Sequence, residues 1–257
     1  KDAIKHYRLA LQANPGFIDS HINLAAVLSK EGDTNGAITH YGKALALDPD
    51  DFRALVNLGN LLLKRCNNSE AVKLYSRALQ IKPSNMHVLN NIGIAHLRLK
   101  RNDDAERYFK EAIDTRDRLL AVFKQREVTL QRDREITERP EQQFEEQLHP
   151  ISEEYIANYK TGNLVFPKKK GDDELRFCKT RIPVIQTEYS KALNNLAIVY
   201  TVKEKYDDAL SLLNEIILLQ PENYRPYYNI ACIYARQNRE DESLKWPEKS
   251  IDKGFHS

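Results

Sequence analysis

Residues 37–49 read AITHYGKALALDP, residues 71–83 read AVKLYSRALQIKP, and ahead of both residues 3–15 read AIKHYRLALQANP. Each segment has the form Ala-x3-Tyr-x2-Ala-x4-Pro, and Pro15, Pro49 and Pro83 stand 34 residues apart. A fixed period of this size marks a solenoid, in which each unit is one supersecondary element. Working outward from Tyr41 and Tyr75, each unit holds two apolar runs of helical period around a polar turn. The turn is Glu31-Gly32-Asp33 in one copy and Asn67-Asn68-Ser69 in the next. Small residues let two helices approach closely, the aromatic fills the gap between them, and proline ends the second helix. The unit is a helical hairpin.

Counting places from the third residue after each proline, places four, seven, eight and eleven of the first helix are packing positions. They read His21, Leu24, Ala25, Leu28, then Leu55, Leu58, Gly59, Leu62, then Leu89, Ile92, Gly93, His96. The frame is lost after about residue 119 and returns at Ser190 with Leu193, Leu196, Ala197, Tyr200, Ala209, Leu213 and Pro221. A last copy begins at Tyr224 with Tyr227, Ile230, Ala231 and Tyr234. This pattern resembles the tetratricopeptide repeat family over about two-thirds of the chain. The resemblance implies an all-α fold, a right-handed superhelical solenoid of helix-turn-helix hairpins, here with a mostly helical insertion. It divides the chain into a repeat block at 1–119 (a half repeat plus three repeats), an insertion or two eroded repeats at 120–189, and a second block at 190–257. The chain opens inside the second helix of a repeat, so a longer parent is expected.

The interruption has its own logic. The third repeat has Asp117 where the closing proline is due. Nothing then stops the helix that begins near Asp103, and residues 115–139 contain neither Gly nor Pro, so that helix is expected to run on toward Pro140 and project from the solenoid. Beyond it a helix around 150–159, an irregular loop through Thr161-Gly162 to Gly171 and a short helix near Asp173–Lys179 are expected. The lysine run Lys168-Lys169-Lys170 is read as a solvated loop, with a localisation or acidic-partner signal as the alternative. In the final copy Pro247 replaces the packing tyrosine. A kink or restart is expected there, with Trp246 covering the end of the core.

Composition narrows the function classes. At 41% hydrophobic, 30% charged and a formal net charge of +2, the chain is an ordinary soluble helical protein with no bias toward nucleic acid. No apolar run is long enough to span a membrane. Three dispersed cysteines (Cys66, Cys178, Cys232) read as reduced thiols and favour a cytoplasmic setting. There is no phosphate-cradling glycine loop, no His-Glu-x-x-His, no cysteine pair at zinc spacing and no nucleophile elbow, so neither catalysis nor a metal or other cofactor is expected.

One position stands apart from packing. Place six is asparagine in every full repeat: Asn23, Asn57, Asn91, Asn195 and Asn229. At 100° per residue it falls opposite the packing places, whereas the neighbouring place three has drifted through Ser20, Ala54, Val88, Ala192 and Pro226. Two roles are open to this ladder. Its amides suit a peptide backbone regardless of side chain, or they bond the neighbouring repeat's backbone and fix the superhelical pitch. The resemblance implies that this face lines the inner groove, and the ladder is similar to that of the O-linked N-acetylglucosamine transferase repeats. Flanking places are mostly basic: Lys30, Lys64, Arg98 and Arg236 at place thirteen (Val202 is the exception), and Arg53, Lys191 and Arg225 at place two. A concave basic surface favours acidic peptides. The clamp by which some members of the family hold a chaperone's C-terminal tail is incomplete: Asn60 and Asn91 match it, but Val56 replaces its lysine. The expected function is a non-catalytic scaffold that binds an extended, acidic peptide or partner segment in its groove; the alternative is a substrate-recruiting region of a larger enzyme such as a glycosyltransferase.

Overall fold

The computed structural model describes residues 2–137 and 171–252. Among them there are eleven helices and no strand. The helices are α1 Asp2–Ala13, α2 Ile18–Lys30, α3 Thr34–Leu47, α4 Phe52–Lys64, α5 Asn68–Ile81, α6 Met86–Arg98, α7 Asn102–Thr137, α8 Gly171–Val202, α9 Tyr206–Leu219, α10 Tyr224–Arg236 and α11 Glu240–Asp252. None of them is long and apolar enough to cross a membrane.

Each hairpin is closed by the residues its period repeats. Gly59 sits so close to Tyr75 that an added Cβ would lie 2.7 Å from the ring, and Gly93 would meet Phe109 at 2.5 Å. The alanines at the ends of the motif are fully buried beside these rings (Ala37 and Ala44, Ala71 and Ala78, Ala105 and Ala112). Two residues after the proline, Asp51, Asn85 and Asn223 accept a backbone N–H in the first turn of α4, α6 and α10, which caps those helices.

The turn inside each hairpin has a feature the period alone does not announce. Gly32, Cys66, Lys100, Glu204 and Asn238 share place fifteen, and all five have positive φ, the four non-glycines between 57° and 60°. At Cys66 the N–H reaches Leu63 O (3.2 Å) while that of Asn67 reaches Leu62 O (2.9 Å). This paired closure satisfies the last carbonyls of the helix, and it recurs after α6, α8 and α10.

The expected run-on helix is present. α7 is 36 residues long, although its approach to Pro140 lies outside the described residues. It does not project alone. α8, 32 residues long, lies antiparallel against it: Lys203 at one end of α8 pairs with Asp103 and Glu106 at the start of α7, and Phe177 near the other end lies 6.3 Å from Phe123. Leu120, Phe123, Cys178, Ile185 and Tyr189 are buried together between them, and the Arg116 guanidinium covers the Tyr189 ring at 4.3 Å. The short helix expected near Asp173–Lys179 is therefore the first part of one long helix that continues into the returning repeat. Pro183 lies inside it and is exposed, as is Lys179, whose carbonyl loses its helical donor to the proline. The helix and loop expected between residues 150 and 170 lie outside the described residues.

α11 also continues as one helix through Pro247, so the restart that the proline suggests does not occur. Trp246 anchors it, packing on Tyr227 (6.1 Å) and Tyr234 (6.5 Å) at the end of the core. Beyond the proline the buried Ser250 hydroxyl donates to Tyr224 O (3.4 Å), so both sides of Pro247 are held against α10.

Candidate peptide-binding groove

Which face of the solenoid is concave follows from who touches whom. The first helices of successive hairpins contact each other, α2 with α4, α4 with α6, α6 with α8 and α8 with α10, whereas the second helices α3, α5, α7, α9 and α11 do not. Helices on the inside of a curve crowd together and those on the outside spread apart. The first helices therefore line the inner surface.

Polar side chains lace these inner seams. Between α4 and α6, Asn60 Oδ1 accepts from the Tyr75 hydroxyl (2.7 Å) and from Asn91 Nδ2 (2.8 Å), and Asn91 Nδ2 also reaches His87 Nε2 (3.1 Å). Between α8 and α10, Asn229 Nδ2 donates to Asn194 Oδ1 (2.7 Å). The Tyr41 hydroxyl, pushed up from its ordinary pKa by burial, bonds the Asn57 side chain. The bracing seen at Asn91 and Asn229 thus runs to a neighbouring repeat's side chain rather than to its backbone. Asn23 is exposed and Asn195 half-buried, and neither side chain has a hydrogen bond among the described residues.

The cations divide in the same way. Arg53 pairs with Asp19 of the preceding repeat (2.6 Å) and with Asp51 (3.2 Å), Lys191 pairs with Glu188 (2.7 Å), and Arg98 Nη1 donates to Leu63 O (2.7 Å) at the end of α4. Lys30, Lys64, Arg225 and Arg236 are exposed, and among the described residues none has an acidic partner. Val56, in the place of the clamp lysine, is buried.

Sequence reasoning missed the joint where α6 meets α8. Buried Asn90 donates to the Glu188 backbone carbonyl (2.9 Å) and carboxylate (3.1 Å), with His87 3.7 Å from the same carboxylate. Burial pushes the Glu188 carboxyl up, but hydrogen bonds from His87, Lys191 and Asn90 outweigh it and hold the group at about 2. Glu188 precedes the recovered frame by two residues, so no repeat register singles it out.

Family models match the repeat segments. A tetratricopeptide repeat model matches residues 50–118, a TPR repeat model matches 28–65, and a second tetratricopeptide repeat model matches 224–252. The chain carries tetratricopeptide repeats. Among solved structures, these repeats and the helices between them are similar to YrrB, described as a TPR protein with an unusual peptide-binding site. The identity is 16% and the TM-score 0.58, over 96% of this chain and 92% of that one. PilF of Pseudomonas aeruginosa is 17% identical with a TM-score of 0.57, covering 93% and 78%. MamA of Desulfovibrio magneticus RS-1 is 11% identical with a TM-score of 0.57, covering 98% and 96%. Identities this low show a shared solenoid fold. No curated protein sequence matches the chain.

Proposed function

We propose that this protein is a non-catalytic scaffold whose concave surface binds an extended peptide segment of a protein partner, with acidic segments preferred. One observation carries the reading. Among the described residues of the first helices, Asn23 and Asn195 make no side-chain hydrogen bond and Lys30, Lys64, Arg225 and Arg236 have no acidic partner, which supports the reading. An amide offers both donor and acceptor, so a row of them matches a peptide backbone whatever its side chains, and cations without an acidic partner among the described residues supply the charge preference. The likeness to the O-linked N-acetylglucosamine transferase ladder belongs to the same reading.

The test separates the free members of the ladder from the bracing ones. The probe is a fluorescent peptide selected from a displayed random library on the full chain. Each lost hydrogen bond is worth about 0.5–1.5 kcal/mol, so Asn23→Ala with Asn195→Ala weakens the peptide about tenfold without moving the melting temperature. Asn91→Ala with Asn229→Ala lowers the melting temperature as well, because it unties α4 from α6 and α8 from α10. Undiminished affinity in the first pair would reject the groove.

A further inference from the structure

Resting on the groove reading above, we propose that an apolar pocket between α8 and α10 accepts one aliphatic side chain of the bound peptide, with a neighbouring carboxylate of that peptide on Arg236. The pocket is a cavity of about 170 Å³. Buried Ala197 and Leu213 form its floor, and Ile198 and Val202 form one wall from α8. Asn229, Cys232 and Arg236 stand three and four residues apart on α10, so they share one helical stripe and make the opposite rim.

Three observations point to this occupant. A dry cavity of about 150 Å³ is known to hold a benzene-sized guest, so this one fits a single aliphatic side chain and little more. The wall residues are large apolar side chains left exposed, Ile198 at 37% and Val202 at 45%, and they line the pocket with the α10 residues. Val202 is also where the basic row breaks, because place thirteen is Lys30, Lys64, Arg98 and Arg236 in the other repeats. An apolar patch therefore interrupts a cationic stripe at the point where a cavity opens. Arg236 has no acidic partner among the described residues, and neither has Arg225 on the same helix. A carboxylate beside the aliphatic residue complements that charge.

The test pans a displayed library of random dodecapeptides on the full chain. Selected peptides are expected to carry Leu, Ile, Val or Met within two residues of Asp, Glu or the terminal carboxylate. Val202→Lys places at an exposed position the residue that two other repeats already carry there. It should abolish the aliphatic preference and weaken the selected peptide about tenfold or more, with no change in melting temperature. Arg236→Glu should remove the acidic preference. Bound peptide should slow alkylation of Cys232 by iodoacetamide while leaving Cys66, exposed in a distant turn, unaffected. A consensus without aliphatic residues, equal binding to Val202→Lys, or an unprotected Cys232 would each overturn the pocket. If such peptides still weaken on Asn23→Ala with Asn195→Ala, the pocket falls and the groove stands; peptides indifferent to every variant sink both.

Discussion

Lys100 holds a left-handed backbone at φ 59°, a conformation that a residue with a Cβ adopts at an expense of about 1–2 kcal/mol and glycine adopts freely. The first repeat already has glycine at the same place, Gly32 at φ 89°. Lys100→Gly should therefore raise the urea midpoint by a stability gain of about 0.5–1 kcal/mol, less than the full strain because glycine also loosens the unfolded chain. An unchanged or lowered midpoint would mean the strain is already relieved by the paired turn bonds. Gly59 and Gly93 answer to a different demand, since what they need is the absence of a side chain against an aromatic ring. Of these five left-handed positions Gly32 betrays itself most plainly in the sequence. Asn238 is a type that tolerates the conformation, but Cys66, Lys100 and Glu204 are forced into it by the closure of the turn and leave no trace in residue type.

Between α2 and α3 the fold places two histidines in contact. His21 Nε2–H donates to Pro15 O (3.0 Å), which leaves its Nδ1 to accept from His40 Nδ1–H (2.9 Å). The bond between the rings needs the lone pair on His21 Nδ1, while His40 keeps its Nδ1–H donor in either protonation state. Burial, then the neighbouring His21, hold His40 below its ordinary value of 6.5, and burial does the same for His96, which stacks on Tyr108 at 5.3 Å. As pH falls, the unfolded chain takes up these protons before the folded one. Stability is therefore full above about pH 6.5 and declines as pH drops below it toward the lowered folded values. Melting temperatures measured from pH 7.5 to 5 should fall, and His40→Gln, which keeps a donor for His21, should flatten part of that slope and leave the share of His96. The sequence had placed His21 and His96 on packing faces; that His21 meets His40 depends on ring geometry across a hairpin, which spacing does not encode.

For the whole molecule, the 34-residue spacing made the hairpins readable, because a period reports which residues face their neighbours. The pairing of α7 with α8 was not readable. Phe123 and Phe177 are apolar residues far apart in sequence, and nothing local says that one helix is the other's partner. The break of the basic row at Val202 was visible, but the cavity behind it depends on how α8 and α10 diverge. In a solenoid each unit contacts only its neighbours, so damage stays local. Phe123→Ala removes a fully buried ring and should destabilise the α7–α8 pair by about 3–5 kcal/mol. Hydrogen exchange should then speed up along α7 and α8 while the amides around Tyr41 keep their protection. Uniform loss of protection over the chain would show instead that the repeats unfold as one cooperative unit.

The α7–α8 pairing also bears on the order in which the chain folds. Contacts within the repeats close loops of about 34 residues or fewer, as Arg53 does with Asp19, but Lys203 with Asp103 and Asn90 with Glu188 close loops of 100 and 98. Closing the longer loop costs only about 1 kcal/mol more in chain entropy, yet it yields nothing until both partners have formed their own helices. The two repeat blocks are therefore set to fold first and separately, each on local contacts, and the seam at Glu188 and Lys203 joins them last.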